Sequence, residues 1–335
     1  MMRILIVSDA WLPQVNGVVR TIESTRDELR RRGHTVEVVG PDRFASIPCP
    51  TYPEIRLAIG QSRRMARLVD EFDPDAIHIS TEGPLGWAAR RYCIRRRLSF
   101  TTSFHTQFPE YVQIRTGMPL ASTYALLRHF HRAASAVMVA TDTLERNLNS
   151  RGFRRLARWS RGVDTERFRP AARPAQTLKH ERPRHLYVGR VAVEKNLDAF
   201  LSLPLDGEKV VVGGGPSLPA FQARYPDVTF TGSKEGQALV DAYAGADVFV
   251  FPSRTDTFGL VMLEALACGV PVAAYPVQGP ADVIGDAPVG RLDEDLGLAI
   301  REALKVPSED CRSFALRYSW EACTDQFLTH LHPFR

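Results

Sequence analysis

The chain has 335 residues, of which 44% are hydrophobic and 24% charged, and this balance suits two folded domains and excludes a disordered chain. Its net charge of +5 is uneven, because residues 1–168 hold 26 arginines, no lysine and 17 acids (+9), whereas residues 169–335 carry −4. No apolar run reaches the roughly 18–20 residues of a membrane span, and the start MMRILIVSDAW does not resemble a signal peptide, which favours a cytoplasmic protein.

The first half of the chain alternates between predicted strands and helices. RILIVSD is a strand, VVRTIESTRDELRRRG is a helix that ends at Gly33, and TVEVVG is the next strand. Short apolar strands recur in DAIHIS, LSFTTSF and SAVMVAT, with helical stretches between them. This alternation is typical of a doubly wound parallel sheet and predicts one α/β domain over residues 1–168.

A second α/β domain is predicted after a linker. Residues 169–184, RPAARPAQTLKHERPR, are rich in proline and charge and lack periodicity. The strands RHLYVGR, KVVVGGG, VTFTG, ADVFVFPS and VPVAAY follow over residues 185–312, and residues 313–335 hold a helix that we expect to pack back on the first domain. Open parallel sheets bind ligands at the carboxyl ends of their strands, so two such domains facing each other predict a site in the cleft between them.

Two cations, Arg190 and Lys195, follow the first strand of the second domain in GRVAVEKN. The forked donors of an arginine and the compact charge of a lysine suit a diphosphate, and a loop salt bridge with Glu194 is the alternative. In the first domain, Gly17 precedes a helix whose amides and dipole favour an anion. His105 lies just beyond a strand, from where a side chain reaches the predicted cleft.

Two carboxylates, Asp256 and Glu264, flank the start of a helix in SRTDTFGLVMLEALACGVPV. A carboxylate accepts hydrogen bonds from both hydroxyls of a ribose, and the amides of residues 257–260 offer donors to a second sugar. The spacing therefore favours a nucleotide-sugar site. The alternative is a capping aspartate followed by a surface glutamate.

No metal site and no dinucleotide site is predicted. The D-x-D strings in FDPDAI and LDEDLG lie at helix ends, where acids are structural, and the five cysteines form no C-x-x-C pair. The glycine-rich VVVGGGPSL lacks the G-x-G-x-x-G spacing and the following acid of a dinucleotide fingerprint.

Five motifs, in order along the chain, resemble those of the retaining glycosyltransferases of family 4. D-TFGLVML-E is similar to the E-x7-E motif of that family with aspartate in place of the first glutamate, and GRVAVEKN is similar to its G-R-x-x-x-x-K-N segment. GVDTERFRP (162–170), NGVVR and SFHTQFPEY resemble its interdomain, N-terminal glycine and histidine segments. The resemblance spans essentially the whole chain. It implies an α/β protein with the GT-B fold, in which two Rossmann-like domains face a central cleft.

The resemblance also implies a role for each motif in sugar transfer. The implied catalytic residues are His105, Arg190, Lys195 and Asp256, with the two cations on the diphosphate and the histidine on the far hydroxyls of the sugar. The implied donor-binding residues are Gly17, Arg190, Lys195, Asp256, Thr257, Phe258, Gly259, Leu260 and Glu264, the last of these on the ribose. No metal and no other cofactor is implied. The co-substrate is a nucleotide-diphosphate sugar, and we expect a UDP-sugar rather than GDP-mannose.

The acceptor is predicted from the finer resemblance. FHTQFPEY, PSRTDTFGLVMLEALACG and AYPVQGPADVIG look most like bacterial enzymes that glycosylate diacylglycerol, and the chain also resembles GDP-mannose-dependent alpha-mannosyltransferases. We therefore expect transfer of a hexose or uronic acid to a membrane lipid as an alpha-glycoside, on the inner face of the plasma membrane. No nucleic-acid partner is expected. The alternatives are a soluble or polysaccharide-linked sugar acceptor and, more remotely, a nucleotide-sugar 2-epimerase of the same architecture; the oligomeric state is left open.

Overall fold

The structure, a computed structural model, describes residues 1–12, 14, 16–49, 52–105, 109, 113, 118–170, 183–256 and 258–335. Its contacts divide the chain into two units. Unit 1 comprises Met1–Arg161 and Trp320–Arg335, and unit 2 comprises Gly162–Ser319. The sequence placed this division after residue 168 and a linker at 169–184, of which residues 171–182 lie outside the described residues.

Unit 1 contains a six-stranded parallel sheet and a separate antiparallel hairpin. Its strands are β1 (Arg3–Val7), β2 (Thr35–Val39), β3 (Ser46–Cys49), β4 (Tyr52–Ala58), β5 (Ala76–Ile79), β6 (Thr101–Phe104), β7 (Ala136–Val139) and β8 (Leu156–Arg158). Its first helices are α1 (Gly17–Arg31), α2 (Gln61–Phe72), α3 (Pro84–Arg96), α4 (Leu120–His131) and α5 (Asp142–Ser150). The sheet order is β2-β1-β5-β6-β7-β8, and β3 pairs with β4.

Strand β1 shows why this sheet is covered on both faces. Successive side chains of a strand point to opposite faces, and here both sets are apolar. Leu5 and Val7 pack in a cluster with residues of α2 and α3, whereas Ile4 and Ile6 pack in a second cluster with residues of α1. The near-continuous apolar run RILIV therefore encodes a central parallel strand between two helical layers.

Unit 2 contains a second six-stranded parallel sheet. Its strands are β9 (Arg184–Val188), β10 (Glu208–Val212), β11 (Thr229–Gly232), β12 (Val248–Phe251), β13 (Val272–Ala274) and β14 (Gly290–Leu292). Its helices are α6 (Asp198–Leu201), α7 (Leu218–Arg224), α8 (Gly236–Ala244), α9 (Leu260–Ala267), α10 (Gln278–Val283), α11 (Leu296–Ala303) and α12 (Ser308–Ala315). The order β11-β10-β9-β12-β13-β14 reverses direction between β9 and β12, which is the switch point where such sheets bind ligands.

The last helix, α13 (Trp320–His330), belongs to unit 1. It begins at Trp320 rather than at residue 313, because Ser308–Ala315 forms a separate helix, α12, that packs against α9 in unit 2. Two of the apolar residues predicted from the sequence to form a stripe, Cys323 and Phe327, are fully buried in the same cluster as Ile4 and Ile6.

The segment after Arg161 belongs to unit 2 because its backbone is bound there. Arg312 donates hydrogen bonds to the carbonyl oxygens of Thr165 and Phe168, at 2.8 and 2.7 Å, and to that of Ala267 at the end of α9, at 2.9 Å. The amide of Val163 donates to the carbonyl of Tyr318 at 2.9 Å. The motif GVDTERFRP thus packs as part of unit 2, which is why the division falls at Arg161.

Candidate functional site

An ion pair and two hydrogen bonds connect the loop after β9 to the loop after β12, at the switch point of unit 2. Lys195 Nζ lies 2.6 Å from Asp256 Oδ1. Asn196 donates to the carbonyl of Pro252 at 3.1 Å, and Thr255 Oγ1 donates to the carbonyl of Glu194 at 3.4 Å. Two motifs that are 61 residues apart in the chain therefore form one surface at the carboxyl ends of adjacent strands.

The Lys195–Asp256 pair has unused hydrogen-bonding capacity. Each side chain is only 21% exposed, so the pair is partly shielded from water. Asp256 Oδ2 is buried and has no hydrogen-bond partner among the described residues. The lysine ammonium has three protons, of which the aspartate takes one. The pair can therefore accept a ligand hydroxyl at Oδ2 while Nζ donates to a ligand anion.

The start of α9 is shaped by a glycine that no other residue could replace without strain. Gly259 caps the helix with φ at +84°, and a Cβ built there would lie 2.8 Å from Met262 Cε and 3.0 Å from Phe251 Cζ. Phe258 is 8% exposed, and Leu260 is the first helical residue. Thr257, which the sequence assigned to the same loop, lies outside the described residues.

Glu264, on α9, is buried and held by a tyrosine that sequence reasoning missed. Glu264 is 6% exposed, and the hydroxyl of Tyr243 donates to its Oε2 at 2.7 Å. Tyr243 is fully buried on α8, with its ring 5.8 Å from that of Phe168 and 5.9 Å from that of Phe249. The alternative of a surface glutamate is thereby excluded. Nothing in the spacing of DAYAGADVFV marks Tyr243 as the partner.

Glycines after β9 and β10 allow the two loops to approach at van der Waals distance. A Cβ on Gly213 would lie 1.8 Å from the carbonyl oxygen of Gly189, and one on Gly215 would lie 2.3 Å from that of Val191. Arg190 leaves β9 between these contacts, and its carbonyl accepts a hydrogen bond from the hydroxyl of Tyr187 at 2.9 Å. The string VVVGGGPSL is thus explained by backbone packing beside the Arg190 loop.

The sequence predicted that Gly17 precedes a helix. In the structure Gly17 is the first residue of α1, and the first amides of that helix are already engaged. The side chain of Asn16 accepts hydrogen bonds from the amides of Val18 and Val19, both at 3.0 Å. An anion at this helix end therefore competes with the asparagine cap.

His105 follows β6, and both of its ring nitrogens have partners within unit 1. Nδ1 lies 2.9 Å from a guanidinium nitrogen of Arg161, and Nε2 lies 2.9 Å from Ser103 Oγ. Burial, and then the charge of Arg161, hold the pKa of His105 well below its usual range. Arg161 directly precedes the motif GVDTERFRP, but nothing in its spacing signalled a contact with His105.

The D-x-D strings have the structural roles expected of them. Asp75 accepts a hydrogen bond from the amide of Arg3 at 2.7 Å, and Asp295 caps α11 by accepting from the amide of Leu298 at 3.1 Å. In the described part of the chain, no group of three or more histidine, cysteine, aspartate or glutamate side chains is arranged to hold a metal ion.

Family models match most of the chain. Residues 15–167 match the model described as Glycosyltransferase Family 4, and residues 182–316 match that described as Glycosyl transferases group 1. A GDP-mannose-dependent alpha-mannosyltransferase of Mycobacterium tuberculosis (strain CDC 1551 / Oshkosh) is 31% identical, over 99% of this chain and 97% of the relative. The chain belongs to glycosyltransferase family 4.

Another relative and two solved structures extend the comparison. An alpha-monoglucosyldiacylglycerol synthase of Streptococcus pneumoniae (strain ATCC BAA-255 / R6) is 27% identical, over 99% of this chain and 85% of the relative. Sucrose-phosphate synthase from Thermosynechococcus elongatus superposes with a TM-score of 0.78 at 19% identity, over 98% of both chains. Anabaena HepE in complex with UDP-glucose superposes with a TM-score of 0.73 at 16% identity, over 98% of this chain and 99% of HepE.

These comparisons confirm two of the predictions from the sequence. The fold is the GT-B fold, an α/β architecture with two parallel sheets flanked by helices. The protein is a family 4 glycosyltransferase, an enzyme that transfers a sugar from a nucleotide sugar.

Proposed function

We propose that this enzyme transfers a hexose or uronic acid, with retention, from a nucleotide-diphosphate sugar to a hydroxyl of a membrane lipid such as diacylglycerol. The observation that carries the lipid acceptor is an exposed basic and apolar face at one end of unit 1. The relative named alpha-monoglucosyldiacylglycerol synthase supports it. Among the described residues no helix has the length and apolar content to cross a bilayer. The proposal is for binding at the membrane surface through this face.

The docking face is formed by the β3–β4 hairpin and the first turn of α2. Ile47 and Ile59 are 49% and 47% exposed, and the amide of Ile59 donates to the carbonyl of Ala45 at 2.9 Å, which holds the end of the hairpin closed. Arg63 and Arg64 lie in the first turn of α2, which follows Ile59 closely in the chain, and both are exposed. Exposed apolar side chains beside arginines suit the boundary between lipid headgroups and acyl chains.

A second arginine cluster, at the end of α3, lies apart from this face. Helix α2 ends just before β5 begins, so its first turn lies toward the carboxyl ends of the strands, where this class of sheet binds ligands. Arg95–Arg97 end α3 just before β6 begins, so they lie toward the amino ends of the strands. The two clusters are therefore at opposite ends of a helical layer about 18–20 Å long.

We expect lipid binding to depend on the arginines of α2 and not on those of α3. Replacing Arg63, Arg64 and Arg67 with glutamate should abolish sedimentation with phosphatidylglycerol vesicles, since each basic residue contributes up to about 1 kcal/mol at an anionic surface. Roughly half-molar salt should release the wild-type protein. The matched control replaces Arg91, Arg95 and Arg97 with glutamate, which makes the same change in net charge.

Activity on vesicle-embedded diacylglycerol should follow binding in these variants. The α2 variant should lose transfer to the lipid while retaining hydrolysis of the donor in solution, and the α3 control should retain both. An equal loss of lipid transfer in both variants would mean that membrane binding depends on net charge and not on the position of the arginines. Normal transfer by the α2 variant would contradict the lipid proposal.

A second candidate is mannosyl transfer from GDP-mannose to a soluble or polysaccharide-linked sugar. The 31% identity to a GDP-mannose-dependent alpha-mannosyltransferase favours this donor, whereas UDP is the nucleotide expected from the sequence. The purified protein should be incubated with diacylglycerol or with soluble sugars, each with UDP- and GDP-sugars in turn, and the products identified by mass. A product with a soluble sugar only would replace the lipid proposal.

In unit 2, the loop that carries Arg190 and Lys195 is proposed to stabilise the leaving group, which is the nucleotide diphosphate. In transfer with retention, the proposed transition state resembles an oxocarbenium ion, and negative charge grows on the departing diphosphate. Arg190 and Lys195 would stabilise that charge, and fixed donors of this kind act most strongly where charge develops. A departing phosphate oxygen would accept the proton of the acceptor hydroxyl.

We expect transfer to proceed without a divalent metal. The reason is that the proposed stabilisers of the diphosphate are the side chains of Arg190 and Lys195. The D-x-D aspartates have structural partners, since Asp75 accepts from the amide of Arg3 and Asp295 caps α11. Activity measured in excess EDTA should remain within a few-fold of the untreated rate. A complete loss that Mg²⁺ or Mn²⁺ restores would contradict this prediction.

A further inference from the structure

We propose that Arg161 is a positioning residue that holds His105 as the neutral tautomer with its proton on Nε2, and that turnover depends on this state. The dependence of turnover rests on the proposed function and on the resemblance to family 4, which implies that His105 contacts the far hydroxyls of the donor sugar. The tautomer itself rests only on contacts within unit 1, so the two parts can be tested separately.

The contact between the two side chains determines where the imidazole proton lies. An arginine guanidinium donates hydrogen bonds and has no acceptor, so at 2.9 Å from Arg161 the Nδ1 atom of His105 must accept. An imidazole whose Nδ1 accepts is neutral and carries its proton on Nε2. Ser103 Oγ, 2.9 Å from Nε2, is placed to receive that proton as an acceptor.

Arg161 is itself fixed rigidly enough to impose this state. It is 5% exposed, and its guanidinium nitrogen Nη1 donates to the carbonyl oxygens of Trp159 and Ser160 at 2.7 and 3.0 Å. Its guanidinium carbon lies 4.8 Å from the centroid of the Trp159 ring. Burial lowers the pKa of Arg161 to about 10, so the side chain stays charged at neutral pH.

No carboxylate in the described part of the chain pairs with Arg161, and burying a cation without an acid partner is costly. The cost is understandable if the cation has a function, and among the described residues His105 is the side chain with which it forms a hydrogen bond. The arrangement therefore points to control of the histidine rather than to stability.

Among the described residues, the other titratable groups that face this pair, His78, Cys323 and Arg158, carry no negative charge near neutral pH. From β5, His78 lies 3.0 Å from Ser103 Oγ, and burial lowers its pKa to about 3. From α13, the thiol of Cys323 donates to the carbonyl of Ser160, and burial raises its pKa to about 11. Arg158 adds a further positive charge that acts on Arg161. His105 is therefore a fixed neutral ring and not a proton carrier.

The test is ¹⁵N-histidine NMR of the full-length protein between pH 5.5 and 8, with the His105 signals assigned by their loss in His105→Asn. In the wild type, both ring nitrogens should keep the shifts of the neutral, Nε2-protonated tautomer across this range. In Arg161→Met, His105 should lose that fixed tautomer, and its pKa should rise because the charge of Arg161 is gone, while burial still holds it below its usual range. Arg161→Lys keeps one donor and should restore the tautomer.

Turnover should report the same change. Arg161→Met should lower kcat by about tenfold and add an acid limb to the pH profile, with a smaller change in KM for the donor, and Arg161→Lys should recover most of the rate. Arg158→Met is the matched control, since it removes a neighbouring arginine that does not contact His105, and its profile should resemble that of the wild type.

Titration of His105 in the wild type within this pH range, or a proton on Nδ1, would overturn the tautomer. An altered tautomer in Arg161→Met with unchanged kcat and pH profile would overturn the positioning role. If Arg161→Met does not fold, the wild-type titration and the lysine variant decide both points. Absence of transfer from every nucleotide sugar, with the NMR result intact, would instead refute the proposed function.

Discussion

Glu264→Gln is expected to lower kcat/KM for glycosyl transfer by about 10- to 150-fold while leaving the melting temperature nearly unchanged. Loss of a hydrogen bond to a charged group costs about 1.5–3 kcal/mol, and glutamine offers a ribose a neutral, weaker acceptor of the same shape. The fold should be retained because the hydroxyl of Tyr243, 2.7 Å from Glu264 Oε2, can also donate to an amide oxygen at that position.

Steady-state kinetics and thermal melts of two further variants complete this test. Tyr243→Phe removes the hydroxyl but keeps the ring that packs on Phe168 and Phe249, so it should cause a smaller loss than Glu264→Gln. Glu302→Gln makes the same chemical change on α11, where the carboxylate is 40% exposed, and should have no effect. Wild-type rates in Glu264→Gln would contradict the assignment of Glu264 to the donor.

Lys195→Ala is expected to weaken binding of the nucleotide diphosphate and to lower turnover, again by about 10- to 150-fold. Two effects combine in this variant. The diphosphate loses a cation, and Asp256, whose Oδ1 lies 2.6 Å from Lys195 Nζ, is left as a shielded carboxylate that repels it.

A double-mutant cycle separates these two effects. Adding Asp256→Asn to Lys195→Ala should restore part of the affinity for free UDP or GDP, measured by calorimetry, because the repelling charge is removed. Restoration of turnover should be smaller, since Asp256 Oδ2 is also the proposed acceptor for a sugar hydroxyl. Lys305→Ala, at a lysine that is 68% exposed, is the control. Unchanged nucleotide affinity in Lys195→Ala would exclude its role on the diphosphate.

Some features of the proposed donor site could be predicted from the sequence, and others could not. The motif GRVAVEKN and the segment from Asp256 to Glu264 were predicted because each is a short string in which spacing marks chemistry. The partners that fix those side chains were not predicted. Tyr243 and its partner Glu264 are 21 residues apart in the chain, and Arg161 and His105 are 56 residues apart. Each contact depends on which helices and strands pack together.

By itself, the sequence determined the two α/β domains, because the alternation of apolar strands with amphipathic helices is a local property of the chain. It also determined the membership in family 4, since the motifs are local strings. Only the tertiary structure decided that β9 and β12 are neighbours, so that Lys195 pairs with Asp256. It likewise decided that the arginines of α2 and α3 lie at opposite ends of a layer. The physical reason is that strand order and helix packing are set by the burial of whole faces, whereas periodicity and spacing report only on neighbours along the chain.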